Sequence, residues 1–502
     1  MRKLLMLVLL VFWSLPAFAQ DTLLWSRTYG GSSRDEGYSV QQTTDGGYIV
    51  VGMTSSFGAG GEDVYLVKTD SLGDTLWSRT YGGSDWDEGY SVQQTTDGEY
   101  IVAGFTYSFG AGYSDVYLIK TNSTGDTLWS RTYGGSNYDR GYSVQQTTDG
   151  GYIVAGLTES FGADGEDAYL IKTNSTGDTL WTRTYGGGGS GHDEGWFVQQ
   201  TTDGGYIVAG WTSSFGAGGE DACLIKTNST GDTLWTRTYG GSSNEHAYSV
   251  QQTTDGGYIV VGWTRSFGGN NDVYLIKTNS AGDTLWTRTY GGSYSDLGFS
   301  VQQTTGGYIV AGFTYSFGAS YDVYLIKTNS TGDTLWSRTY GGSGSELGFS
   351  IQQTTDGGYI VVGRASSFGA GGRDVMLTKL DPFGNSCIGE FVSSTVMSVS
   401  CTVTSPATQV GSPSTEVTSP TWTVTSPATA VTTVCIWQRG DANGDGDINV
   451  TDIVYLINYL FNETSPPDPL WLGDANCDGK VDVVDIVYLI NYLFGEGPPP
   501  GC

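Results

Sequence analysis

One unit of about fifty residues is written seven times between residues 21 and 381. Its Thr-Leu-Trp phrase places tryptophans at Trp77, Trp129, Trp181, Trp235, Trp286 and Trp336, and a first copy, stretched by one leucine, holds Trp25. Its Ser-Val-Gln-Gln-Thr-Thr phrase, or a close variant, also recurs, the first starting at Ser39 and the last ending at Thr355. One such unit cannot bury its own apolar face and must stack on the next copy. A period of this length with strand patterning points to the blades of a propeller.

Each unit contains four strand signals. In the first, residues 37–43 alternate, Thr44-Asp45-Gly46-Gly47 reads as a hairpin turn, and residues 48–54 are β-branched and aromatic. A glycine-rich loop over 55–61 leads to a third strand at 63–69, a turn at 71–74 and a fourth strand at 75–81. Glycine recurs too often for a helix. The last unit stops at Leu380-Asp381 without a Thr-Leu-Trp strand, and the chain supplies an orphan copy at 21–29. The spacing therefore predicts an all-β, seven-bladed propeller over residues 20–384, closed by its N-terminal strand so that no edge is left open. With Trp77, Tyr81, Gly82, Gly83, Asp87 and Val92 the unit resembles the bacterial β-propeller repeat W-x-x-x-[FY]-G-G-x-x-x-D-x-x-x-x-[IV]. That resemblance implies a fold and an exported location, and no single activity.

Two acidic connections per blade should open on one face. One carries Asp35 and Glu36 and their counterparts, the other Asp63 and its counterparts. Differences between units concentrate there, which nominates Trp86, Tyr138, His192, His246 and Tyr294 as ligand-binding candidates, with Trp211 and Trp263 as further stacking surfaces. The bland alternative is that the carboxylates cap turns. No Ser/His/Asp or Cys/His arrangement presents itself, and seven near-equivalent acidic loops single out no catalytic pair. A ring without catalytic residues is the expectation.

A second repeat stands at the C-terminus. Asp441, Asn443, Asp445, Asp447, Asn449 and Asp452 occupy positions 1, 3, 5, 7, 9 and 12 of a loop, and Asp474, Asn476, Asp478, Lys480, Asp482 and Asp485 repeat them. This spacing wraps oxygens around a hard cation, with Gly446 and Gly479 at the sharp turn and Asp447 and Lys480 contributing backbone carbonyls. Two Ca²⁺ ions are expected. An apolar helix follows each loop, nearly apolar all round, so one face is left for a partner or for the other helix. Residues 439–497 resemble a type I dockerin, the duplicated calcium module that docks onto cohesin domains. That resemblance implies a cohesin-like partner, and the positions around the loop ends and helices become its contacts: Val450, Thr451, Val454, Ile457, Asn458, Val483, Val484, Val487, Ile490 and Asn491.

The remaining stretches bound the biology. Arg2 and Lys3, the apolar run 4–12 and Ala17-Phe18-Ala19 read as a secretory signal over residues 1–19, of a bacterial kind. No later run is long and apolar enough to span a membrane. A net charge of −29 argues against nucleic acid. Cys223 replaces a core tyrosine and should be a free thiol; Cys435 and Cys502 bracket the domain at 439–502 and form the preferred disulfide. Residues 385–438 repeat a Thr-Ser-Pro phrase and read as an extended linker, or as a small β segment. Together these features predict an exported, non-enzymatic binding or scaffold protein, its ring recognising an extracellular protein or glycan. The alternative is a subunit of a cellulosome-like polysaccharide-degrading complex with glycoside hydrolase activity in the ring.

Overall fold

The computed structural model describes residues 24–163, 165–187, 191–318, 320–386, the short strands named below between 390 and 437, and residues 441–443, 448–462, 466–467, 470–476 and 480–494. The expected signal segment and the cysteine pair Cys435–Cys502 lie outside the residues whose side chains are described. The chain divides into two compact units, Leu24–Ile436 and a C-terminal one starting at Trp437.

The first unit is a seven-bladed propeller. Blade 1 runs from the axis outward as Asp35–Gln42, Tyr48–Thr54, Asp63–Thr69 and Thr75–Tyr81, all antiparallel. The inner strands of blades 2 to 7 are Asp87–Gln94, Asp139–Gln146, Asp193–Gln200, Glu245–Gln252, Asp296–Thr304 and Glu346–Gln353. Blade 7 takes its outer strand from the other end of the chain: Leu24–Gly30 pairs with Asp374–Leu380, Trp25 opposite Lys379 and Tyr29 opposite Val375. The expected closure is therefore present. It buries Trp25 and Tyr29 almost completely.

Apolar side chains fill the seams between blades. One cluster joins Ile49, Val51, Val64, Leu66 and Tyr81 of blade 1 to Val92, Tyr100, Val102 and Tyr117 of blade 2, and the others repeat it. Polar ties fasten the same seams. The hydroxyl of Tyr29, Tyr81, Tyr133, Tyr185, Tyr239, Tyr290 and Tyr340 donates to a turn carbonyl of the following blade at 2.5–2.7 Å. At the far end of the channel each inner strand donates a backbone N–H to a glutamine of its neighbour, as in Gln94 N to Gln41 Oε1 at 2.5 Å. This repeats around the ring.

Residues 385–438 depart from an extended linker. Short strands from this segment add a fifth, antiparallel strand to six of the seven sheets. Glu390–Phe391 lies on blade 6, Thr395–Ser398 on blade 5, Thr402–Thr404 on blade 4, Gln409–Gly411 on blade 3, Glu416–Thr418 on blade 2, and Ala430–Trp437 on the closing strand of blade 7. The segment thus circles the ring backwards. Val396, Val403, Val410 and Val417 fall every seventh residue and stand opposite Tyr290, Tyr239, Tyr185 and Tyr133. Outer strands carry unpaired backbone groups, and a Thr/Val-rich chain of matching period satisfies them.

In the C-terminal unit, two helices, α1 (Val450–Asn462) and α2 (Val483–Phe494), pack through Ile453, Leu456, Ile486 and Leu489, with Ala442 and Ala475 of the loops beneath them.

Candidate functional site

Each inner strand carries one bulge, and the bulged residue is aromatic in every blade: Tyr38, Tyr90, Tyr142, Trp196, Tyr248, Phe299 and Phe349. A bulge leaves one residue unpaired and re-aims its side chain. Here it sends the rings toward the axis, where each touches the next. Centroid separations run from 4.2 Å, for the stacked pair Tyr142–Trp196, to 5.4 Å. A closed aromatic ring crosses the channel. The strand facing the bulge comes so near that a Cβ at Gly52 would lie 1.8 Å from the Glu36 carbonyl oxygen.

Two residues ahead of each aromatic stands a position that differs between blades: Glu36, Glu88, Arg140, Glu194, His246, Leu297 and Leu347. These side chains rim the mouth. Tyr38 donates to Glu36 at 3.1 Å, Tyr90 donates to Glu88 at 2.9 Å, and the Tyr248 hydroxyl lies 3.4 Å from His246 Nδ1. Where the rim residue is leucine, the ring below it is phenylalanine, which has no polar atom to satisfy. At this rim position, therefore, blades 1 to 5 are polar and blades 6 and 7 apolar.

Carboxyls meet at two points of the mouth. Glu62 stands beside Glu88, and Glu166 beside Glu194. Burial, then the neighbouring Glu62 carboxyl, pushes Glu88 up to about 7. Burial, then repulsion from Glu166, pushes Glu194 up to about 8. Two carboxyls in contact cannot both ionise cheaply, so each pair keeps a proton near neutral pH. Arg140 stands between the pairs, its guanidinium 4.8 Å over the Phe105 ring and its Nη2 donating to the Tyr107 hydroxyl at 3.0 Å.

The sequence candidates fall around this mouth with different roles. His246 stacks on Trp211 at 4.7 Å, contacts Trp263 at 4.5 Å, and places Nε2 2.7 Å from Glu220. Burial lowers its basicity, partly offset by Glu220. His192 is exposed and sits 3.3 Å from Glu166. Trp86 is exposed and meets the edge of Tyr107, while Tyr138 stacks on exposed Tyr113 at 5.1 Å. Tyr294 belongs to a second exposed aromatic run with Tyr315 and Tyr321. The acidic connections divide. Asp35 accepts from Gly31 N, Ser56 Oγ and Thr54 Oγ1, and Asp63 accepts from Ala59 N. These are buried framework caps, as the bland alternative held. The glutamates beside them, Glu36 in the first connection and Glu62 in the second, reach the mouth. The signal for that layer was present in the paired changes Glu-Gly-Tyr, Arg-Gly-Tyr, His-Ala-Tyr and Leu-Gly-Phe along the repeats.

In the C-terminal unit the loop carboxylates Asp441, Asp452, Asp474 and Asp485 are buried. Asp452 accepts from Asn443 N at 3.2 Å and Asn449 N at 2.8 Å, and Asp485 accepts from Asn476 N and Asp482 N at the same distances. Asn449 and Asp482 in turn accept from the first-turn N–H groups of Thr451 and Val484. Each pair is a capping box that draws positions 3, 9 and 12 together. Buried oxygens of this kind suit a hard cation. Asp445, Asp447 and Asp478 lie outside the described residues. Of the expected partner contacts, Val450, Thr451, Val454, Ile457, Val483, Val484, Val487, Ile490 and Asn491 are exposed and Asn458 is half-buried. Phe461 and Phe494, 64% and 70% exposed, extend the two stripes.

Residues 439–494 match the family model for the Dockerin type I domain, so this module is a type I dockerin. The Regulatory protein FlaEY of Caulobacter vibrioides is 29% identical over 176 residues, which is 30% of this chain and 18% of that protein. The chain thus spans a minor part of that relative. Similar solved structures include Chaetomium thermophilum Sqt1 bound to the N-terminus of the ribosomal protein L10, at 11% identity, 70% of this chain, 98% of that chain and a TM-score of 0.42. Another is the endo-1,5-alpha-L-arabinanase of Thermotoga petrophila RKU-1, at 13%, 72%, 100% and 0.27. A third is a GH43_12 retrieved from capybara gut metagenome, at 10%, 75%, 99% and 0.21. These likenesses are of fold alone. The expectation of a ring without enzymatic activity runs against these neighbours, which include an arabinanase and a GH43_12. Among the described residues, no helix is long and apolar enough to cross a membrane.

Proposed function

We propose that this protein is an exported subunit of a polysaccharide-degrading assembly, held there by its dockerin and hydrolysing a glycan at the propeller mouth. What supports the reading is the two carboxyl pairs at the mouth, Glu62–Glu88 and Glu166–Glu194, where burial and the neighbouring carboxyl push Glu88 up to about 7 and Glu194 up to about 8. Glycoside hydrolysis needs one carboxyl that is still protonated and another that is ionised, on either side of the scissile bond. Glu194 holds its proton most firmly and is the general acid. The ionised partner comes from the Glu62–Glu88 pair. Exposed Trp86 and Tyr113 with half-buried Tyr138 on one side, and exposed Tyr294, Tyr315 and Tyr321 on another, offer flat apolar faces on which sugar rings stack.

The dockerin supplies attachment. Two Ca²⁺ ions, one per loop, would tie Asp441, Asn443, Asp445, Asn449 and Asp452, and their second-loop counterparts, into rigid platforms for the helices. The apolar stripes Val450–Val454–Ile457–Phe461 and Val483–Val487–Ile490–Phe494 then meet a cohesin-like surface. The test is reducing-end release from a panel of plant and microbial polysaccharides by the full-length chain. Turnover on at least one, lost on the order of 100-fold in Glu194→Gln with binding retained, is expected. Absence of turnover on every polymer, or full activity in Glu194→Gln and Glu88→Gln, sinks the reading.

A further inference from the structure

The basic residues of the propeller sort into two groups. Its lysines and seven of its arginines recur blade by blade as framework: Lys68 pairs with Asp45 at 2.9 Å, and Arg79 lies over Trp77 and reaches Asp126. Five arginines break the pattern, Arg34, Arg140, Arg265, Arg364 and Arg373, and all five stand at the mouth end of their strands or in the loops beside it. Three of them converge at the seam where blade 7 meets blade 1. Arg34 Nε, Arg364 Nη1 and Arg373 Nη1 reach a single oxygen, Glu36 Oε1, at 2.9, 2.6 and 3.1 Å. A backbone bridge between Arg34 and Arg373 holds two of them side by side.

The charges do not balance. Burial alone would raise the Glu36 carboxyl, but Arg34 and Arg364 hold it below its ordinary value, so it is ionised. Arg34 also contacts Glu62 at 2.9 Å. Three guanidiniums thus contact two carboxyl groups, Glu36 and Glu62. Counted over these contacts, guanidiniums outnumber carboxyls by one, in a chain of net charge −29. The Arg34 and Arg373 side chains are 42% and 40% exposed, so the surplus is open to the mouth. Trp86 adjoins the same spot: its ring packs against Gly61, next in chain to Glu62.

We infer that this corner seats a carboxylate of the sugar chain, so that the glycan taken at the mouth is a uronic-acid-bearing polysaccharide. The inference rests on the glycan reading above and adds its substrate class. A planar guanidinium matches a carboxylate with two parallel N–H donors, and two such groups are held side by side here. The neighbouring Trp86 face takes the ring that bears the carboxylate. Arg34 and Arg373 are binding residues in this scheme, while Arg364, more deeply set, positions Glu36.

Calorimetry on the full-length protein separates the possibilities, using a galacturonic-acid tetramer and the galactose tetramer of the same linkage, which differ only in the carboxylates. The acid tetramer should bind on the order of tenfold or more tighter. Arg34→Gln and Arg373→Gln should each weaken it by about tenfold, and Arg373→Lys by less, with the neutral tetramer unchanged. Thermal midpoints read alongside separate lost binding from lost folding, and Arg373→Lys keeps the charge should Arg373→Gln unfold. Equal affinity for both tetramers, or uronate binding indifferent to both Gln variants, overturns the uronate inference and leaves the glycan reading intact. If neither tetramer binds and no polysaccharide of the panel is turned over, both fall.

Discussion

Substituting Glu194 by glutamine should reverse sign with pH as a stability change. Its carboxyl is pushed from 4.5 to about 8 in the folded protein. The unfolded chain ionises that group near its ordinary value, whereas the folded chain keeps the proton until about pH 8. This site's contribution to stability is therefore complete below pH 4.5, declines as pH rises to 8, and is level beyond. A shift of that size corresponds to at most about 5 kcal/mol. The mouth is open to water, and screening reduces the cost to roughly 2–3 kcal/mol. Glutamine copies the protonated acid in shape and charge. Wild type and Glu194→Gln should have closely matched unfolding free energies at pH 5, and the variant should be more stable by roughly 2–3 kcal/mol at pH 9. Urea unfolding of the full-length protein, followed by tryptophan fluorescence at fixed calcium from pH 5 to 9, reads the difference. Framework carboxyls such as Asp63, Asp167 and Asp374, pushed up to about 6 by burial, add a background fall common to both proteins, which cancels. Parallel stability curves for wild type and variant across this range would refute a proton held at Glu194.

Other consequences are equally direct. Tyr133→Phe removes the donor to the Gly177 carbonyl at 2.6 Å and should cost about 1–2 kcal/mol in urea, without changing the blade's fold. Trp25→Ala strips the closing strand of its largest buried side chain, 1% exposed, and should cost about 3–5 kcal/mol, with the ring opening first at the blade 7 seam in hydrogen exchange. Cys223, buried with its thiol pushed upward by burial, should resist thiol reagents in the native protein and react at once in denaturant. Asp485→Ala removes the acceptor that draws Asn476 and Asp482 together. Calcium should then add roughly half the helical circular dichroism it adds to wild type, and an unchanged gain would refute the role of that loop.

Some of this molecule is a property of its local sequence. Alternation, turn glycines and a unit copied seven times determine strands and stacking, because each blade meets only its neighbours. The orphan strand at Trp25 determines the closure, since a ring with one incomplete blade can be completed in one place only. The twelve-residue loops and the helix stripes at Val450 and Val483 are likewise legible, because ligand spacing and helical period are short-range. What the tertiary structure decided is how the repeats differ where they meet. The bulge at Tyr38 and its six counterparts turns side chains that read as strand residues into a ring across the axis. It also lifts Glu36, Glu88, Arg140, Glu194 and His246 to a common rim. Glu62 and Glu88 are close because consecutive blades bring a loop of one against the inner strand of the next, and burial there pushes the Glu88 carboxyl up. Three arginines gather on Glu36 only because the ring closes, setting Arg364 and Arg373 of the last blade beside Arg34 ahead of the first. The threonine-rich segment that read as a linker became a belt for a similar reason. Its seven-residue period has meaning only against a ring of outer edges one blade apart.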